Sequence, residues 1–323
     1  MPETIPFAAL RYNLDHVSSL TDVVAPPEGP RDVARDSATV DRLYKRHPAN
    51  VVRVIANRSE PGDEEHERFE RAGEFIEQWI SEGVLKRDDS PAIYAFRQSG
   101  SIGGVREECC GWLVGVRIGE RQATRRGGVA EGESTGESPE DGSPLPWMLA
   151  TDLACTPVVA SCVDPDGRLF GPIDGILSGP SVQAADVDGR IHSQVRVDDP
   201  AIVKTICDSI SSRTLRLVEG LRRYEAARDY RDRVRKLSGE LPGDHPANFV
   251  LTMLIEEKLK AEESLERDES VVDGWLLGAN CNAVGLPESV GASDGGGLPL
   301  PLAGLVFYPL VTSFRFDANV ASS

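Results

Sequence analysis

Between Asp63 and Glu82 the apolar residues Phe69, Ala72, Phe75, Ile76, Trp79 and Ile80 recur three and four positions apart. That is the repeat of a single helix face, and Gly83 supplies a stop. The spacing predicts an amphipathic helix whose apolar stripe is core. Before it, Leu10 to Ala25 reads as a strand and loop running into the stiff pair Pro26-Pro27. Ser37 can cap a short helix that ends at Arg46, ahead of Pro48. Val51 to Ile55 is compact and β-branched, which predicts a strand. Ala92 to Phe96 and Trp112 to Ile118 read as adjacent strands.

The second half changes rhythm. Asp164-Pro165-Asp166-Gly167 and Asp186-Val187-Asp188-Gly189 lie between strand-like residues, and each reads as a hairpin turn. Neither supplies the ligand series and twelfth-position acid of a calcium loop. Asp199 and Pro200 stand in cap-then-first-position order, opening a helix whose buried face is Val203, Ile206, Cys207 and Ile210. A strand from Leu215 to Val218 and a helix from Leu221 to Leu237 follow. Asn248 begins a strand or a helix, and Leu302 to Leu310 reads as a last strand. The expectation is an α+β fold with mixed, largely antiparallel sheets and packed helices in two lobes. Residues 1–120 form the first lobe and residues 148–323 the second. Residues 121–147 join them as a mobile acidic loop, with Glu131, Glu133, Glu137 and Glu140 and almost no large apolar residue.

Composition narrows the partners. At 323 residues the chain can bury a sizeable core, and its net charge of −17 argues against nucleic acid and anionic membrane. No apolar run approaches the ~20 residues of a membrane span. The first residues lack the basic-then-apolar signature of a signal peptide, so the expectation is a cytoplasmic protein. Six cysteines form no CxxC pair and the five histidines are scattered, which makes zinc a poor fit and buried free thiols the better one.

The segment Leu217-Val218-Glu219-Gly220-Leu221-Arg222-Arg223 carries the strongest chemical signal. A strand passing through glycine into a helix start leaves several N–H groups aimed at one spot, where the helix dipole favours an anion. Arg222 and Arg223 can add forked donors. From Arg213 to Lys236 there are nine basic and four acidic residues, a local excess of five inside an acidic chain. Two readings stay open: an anion site, or local pairing of these arginines with Glu219 or the acidic loop. Arg228, Arg231 and Arg235 read as a solvated helix face with ordinary i, i+4 pairing.

With the run Arg223 to Asp232, this segment resembles a large prokaryotic family known as domain of unknown function 1015, whose members carry acid-Gly-His-His-Arg-Tyr-Glu here. Phe7 to Asn13, Asp22 to Pro27, Asn50 to Val54 and Gly304 to Leu310 look like further parts of that family's pattern. The departures are specific. Leu221 and Arg222 stand where the family has paired histidines, and Gly132-Glu133-Ser134-Thr135 lacks the histidine of a His-Glu-x-Thr motif. Gly295 to Pro301 replaces a lysine-, serine- and aromatic-rich stretch. These losses imply altered or lost catalysis. The acid-Gly-x-x-Arg start is also similar to the phosphate-contacting segment of the ParB and sulfiredoxin superfamily, which includes free-serine kinases. That similarity implies phosphate on Gly220 and Arg223, with Glu219 as a catalytic acid and ATP with Mg²⁺ as cofactors. The helix-start argument adds Arg222 as a phosphate donor, and the first family's His-Glu-x-Thr position adds Glu133 as a second candidate acid.

Three functions remain open from the sequence. The chain is a silent relative that binds a nucleotide or phosphorylated metabolite, a kinase-like phosphotransferase on a small hydroxylated metabolite such as serine, or an interaction protein without a ligand.

Overall fold

A computed structural model describes residues 2–24, 37–64, 66–102, 105–119, 143–185, 189–257, 271–272, 275–277 and 313–315. The fold is α+β. Its centre is a mixed, mostly antiparallel ten-stranded sheet. The strands are β1 (Thr4–Ile5), β4 (Ile93–Ile102), β5 (Val105–Arg117), β7 (Val158–Cys162), β8 (Val182–Ala185), β9 (Ile191–Val197), β10 (Arg216–Glu219), β11 (Phe249–Glu256), β12 (Val271–Val272) and β13 (Trp275–Leu277). They run in the order β12-β13-β10-β7-β11-β5-β4-β9-β8, with β1 pairing beside β5. Among the described strands only β7 with β11 and β10 with β13 are parallel pairs. Strands from before and after the 120–142 stretch therefore share one hydrogen-bonded sheet.

A second sheet of four short strands is ordered β3 (Leu85–Arg87), β2 (Ala9–Tyr12), β14 (Ser313–Arg315), β6 (Leu153–Ala154). It is tied to the large sheet through Asp88, which accepts from Arg11 and from the Tyr94 hydroxyl, while Arg196 lies 3.4 Å away. The buried side chains form two clusters. One is built on the large sheet and the helices Pro200–Ser211 and Leu221–Ser238, and the other on the helices Ser37–Arg46, Val52–Ile55 and Glu67–Ser81.

Local chemistry explains much of this. Phe69, Ala72, Ile76 and Trp79 are the buried stripe of Glu67–Ser81, as the helical repeat requires. The Asp199 carboxylate accepts the N–H groups of Ala201 and Ile202 at 2.9 and 3.0 Å, with Pro200 at the first helical position. β11 is buried along its length except at Glu256, because it has strand neighbours on both sides and packing on both faces. β8 and β9 pair antiparallel with Ala185 opposite Ile191, so the second Asp-Gly segment does join hairpin strands.

Three expectations differ from the structure. Val52–Ile55 is a helical turn rather than a strand: the Asn50 side chain accepts the Val52 N–H at 3.0 Å, and Val52, Val54 and Ile55 are all buried. The first Asp-Gly turn makes no hairpin; it leads from β7 into the helix Pro172–Leu177. There the Asp164 carboxylate accepts the N–H groups of Leu169 and Phe170, both at 2.9 Å, and pairs with Arg213. Residues 145–147, the last of the expected acidic loop, instead open the helix Leu145–Thr151, with Pro146 in its first turn. The strand expected at 302–310 lies outside the described residues.

Candidate functional site

β10 delivers the chain to the site. Leu217 and Val218 are buried in the sheet, and Glu219 stands at its end opposite Val159 of β7. Gly220 then turns the chain at φ +96°, a left-handed conformation that suits glycine. Its carbonyl accepts the first helical hydrogen bond from Tyr224 N at 2.9 Å. The N–H groups of Leu221, Arg222 and Arg223 precede that bond and have no acceptor inside the helix. Gly220 has no side chain to cap them.

Arg223 folds back over this turn. A Cβ on Gly220 would lie 2.7 Å from Arg223 Nε, so the missing methyl makes room for the guanidinium. Arg223 Nη2 donates to Glu219 Oε1 at 2.6 Å, with side-chain exposures of 15% and 28%. Of the two readings left open by the sequence, the local pair is present. Arg222 is half-buried on the same first turn. Glu133 and Thr135 lie outside the described residues, so the structure brings together Glu219, Gly220, Arg222 and Arg223 of the sequence-derived set. Among the described residues no group of three or more His, Cys, Asp or Glu side chains is placed to hold a metal ion.

The helix behind the turn is fastened more firmly than its charge suggests. The expectation of a solvated face at Arg231 and Arg235 is corrected. Arg231 is 1% exposed, and its Nη1 donates to the carbonyls of Ile118 and Gly119 at 3.1 and 2.9 Å. Arg235 Nη2 donates to Asn248 Oδ1 at 3.1 Å. The Tyr224 hydroxyl accepts the Gly119 N–H at 3.1 Å, and the Tyr230 hydroxyl donates to Asp152 Oδ1 at 2.6 Å. Gly119, just before the acidic stretch, and Asp152, at the end of the helix Leu145–Thr151 that follows it, are thus held by one helix. The sequence signal for this was the pair of tyrosines on the apolar face beside Ala226, Ala227 and Val234.

The amino-end segments singled out in the sequence meet away from this turn. The Tyr12 hydroxyl donates to Ala49 O at 2.6 Å, and Asn50 Nδ2 donates to Asp22 O at 2.8 Å. Val51 N donates to Val23 O at 2.8 Å. Residues from Phe7–Asn13, Asp22–Pro27 and Asn50–Val54 therefore form one knot of side-chain and backbone hydrogen bonds.

A family model described as "Protein of unknown function (DUF1015)" matches residues 4–261, which is most of the chain. The chain belongs to that family. The match spans the knot, the large sheet through β11 and the whole Glu219–Ser238 region. No curated protein and no solved structure matches the chain.

Proposed function

We propose that this family member binds a nucleotide or a phosphorylated small metabolite at the Glu219–Arg223 turn and does not turn it over. The observation that carries the reading is the uncapped helix start at Gly220, with Arg222 and Arg223 on its first turn. A phosphate there would take the N–H groups and the dipole end of an 18-residue helix. Arg223 is already held by Glu219, so binding proceeds by exchange: the ligand's oxyanion replaces the Glu219 carboxylate on the guanidinium. The exchange releases Glu219 next to the bound phosphate, where a nucleotide's Mg²⁺ would find one carboxylate. That metal arrives with the phosphates, the usual behaviour of Mg²⁺.

Leu221 and Arg222 leave no imidazole on the first turn for proton transfer, which supports binding over phosphotransfer. The kinase-like alternative, with a serine-like acceptor, would need Glu219 as its only described acid. The net charge of −17 supports a small-molecule partner over nucleic acid. Among the described residues no helix is long and apolar enough to cross a membrane.

One observation favours a second reading. The Glu219–Arg223 pair is also what an interaction protein with a purely structural arginine would have. Thermal shift of the purified chain against ATP, ADP, phosphate and phosphoserine, with and without Mg²⁺, separates the two. A ligand at a hundred times its Kd adds about 2.7 kcal/mol of stability. A shift that disappears in Arg223→Ala supports binding at the turn. No shift in a folded protein, with Arg223→Ala changing stability alone, leaves the interaction reading.

A further inference from the structure

The knot of amino-end segments uses Tyr12 and Asn50 on backbone carbonyls and so explains why those residues are there. It does not explain Arg53. This residue projects from the Val52–Ile55 turn, whose other three residues are buried, so its Cα is fixed on the rim of the core. The guanidinium carbon lies 4.2 Å over the Tyr44 ring and 5.4 Å over the Phe75 ring. Nη2 donates to Tyr44 O at 3.1 Å, which fixes the plane. Nε is sealed from solvent without an acceptor.

Its neighbours are treated differently. Arg58 pairs with Asp41 and Glu60, Arg71 with Asp63 and Arg46 with Asp22, whereas among the described residues no carboxylate lies within ion-pair distance of Arg53. Ring faces stabilise the charge of a guanidinium but do not use its in-plane N–H donors, of which Nη2 is taken by Tyr44 O. Arg68 lies over the Phe69 and Trp147 rings and also lacks a carboxylate among the described residues, yet no described hydrogen bond holds it in one orientation. Burial lowers the Arg53 pKa below the ordinary arginine value, the expected mark of a cation stripped of water and not compensated by an acid.

We propose that Arg53 is a preorganised receptor for a small oxyanion, a phosphate or carboxylate group, at a site separate from the Glu219–Arg223 turn. Aromatic faces and the Tyr44 carbonyl hold the fork rigid, and the residue stays partly exposed, so an anion from solution can reach it. The missing charge partner is the ligand.

The test uses the full chain carrying Arg223→Ala, so that failure of the first site leaves this one readable. Phosphate and acetate are titrated separately, at constant ionic strength, against Arg53, Arg53→Lys and Arg53→Met forms of that protein. Melting temperature and the Arg Nε–Hε proton resonances are followed. The expected result is a saturable melting shift with at least one probe, together with movement of one Nε–Hε resonance that is absent from Arg53→Met. Phosphate alone shifting the protein identifies a phosphoryl ligand, and acetate alone identifies a carboxylate. Arg53→Lys keeps the charge but loses the fork and is expected to weaken binding by about tenfold or more. Equal shifts in Arg53 and Arg53→Met proteins overturn the proposal, as does the absence of any saturable shift in the Arg53 protein. If Arg53→Met fails to fold, the Arg53→Lys titration and the resonance decide: unchanged affinity in Arg53→Lys overturns it.

Discussion

The Arg223 guanidinium occupies the side of Gly220 where any other residue would carry its β-carbon, with Nε 2.7 Å from that position. Glycine here meets two demands at once, a positive φ and an open flank.

Gly220→Ala is therefore expected to cost about 1–3 kcal/mol, combining left-handed strain with displacement of Arg223 from Glu219. Gly62, at φ +99° with open space around its missing side chain, is the control. Gly62→Ala carries positive-φ strain with no neighbouring side chain to displace. Urea denaturation of the two variants checks whether Gly220→Ala loses more.

Arg231 is predicted to matter far more than an average surface arginine. Arg231→Ala strands the Ile118 and Gly119 carbonyls in a buried place, at a cost of about 3 kcal/mol. Arg233, exposed on the same helix, should change stability by about 0.5 kcal/mol or less when replaced by alanine. Equal losses in the two variants would contradict the clamp.

Asp164 predicts a pH dependence. Burial alone would raise its pKa, but the N–H groups of Phe170 and Leu169, the contact with Asp166 and the Arg213 guanidinium outweigh that and lower it. A carboxylate with a depressed folded pKa stabilises above its unfolded value, near about 3.9, and loses that contribution as pH falls through the folded pKa. Wild type should exceed Asp164→Asn by about 2 kcal/mol at neutral pH. The gap should close in acid below about pH 4. Chemical denaturation across pH 7 to 3 reads both the gap and its closure.

Burial raises the Cys162 thiol to about 12 and Cys207 to about 11. Neither should be alkylated by iodoacetamide at pH 8 in the native protein, and both should react once urea unfolds it. Peptide mass spectrometry locates the label.

The sequence made some of these relationships legible and hid others for physical reasons. Asp199-Pro200 announced its helix because a cap depends only on near neighbours. The Glu67–Ser81 stripe was legible because one face is buried and the other is wet. Val52–Ile55 was misread because four residues are too few to show a helical repeat and all but Arg53 are buried and β-branched, and the cue lay in Asn50, whose side chain starts the turn. The Asp164 turn misled because its carboxylate is committed to Arg213, 49 residues away. At the candidate site the turn glycine and both arginines were legible. The Arg231 clamp was not, since its acceptors are main-chain carbonyls that no residue type advertises.

The small sheet has a consequence for how the molecule is made. β14 lies between β2 and β6, with Ser313 opposite Leu10, a separation of 313 − 10 = 303 residues. At ~5–20 residues per second, β2 leaves the ribosome roughly 15–60 s before its partner exists. Through that interval one backbone edge of β2 has only water, or another chain, to bond with. The long separation also makes this pairing a slow, late step in refolding, since so large a loop must close before the contacts that reward it can form. Nascent chains halted before residue 313 should therefore be the form of this protein most prone to associate with one another.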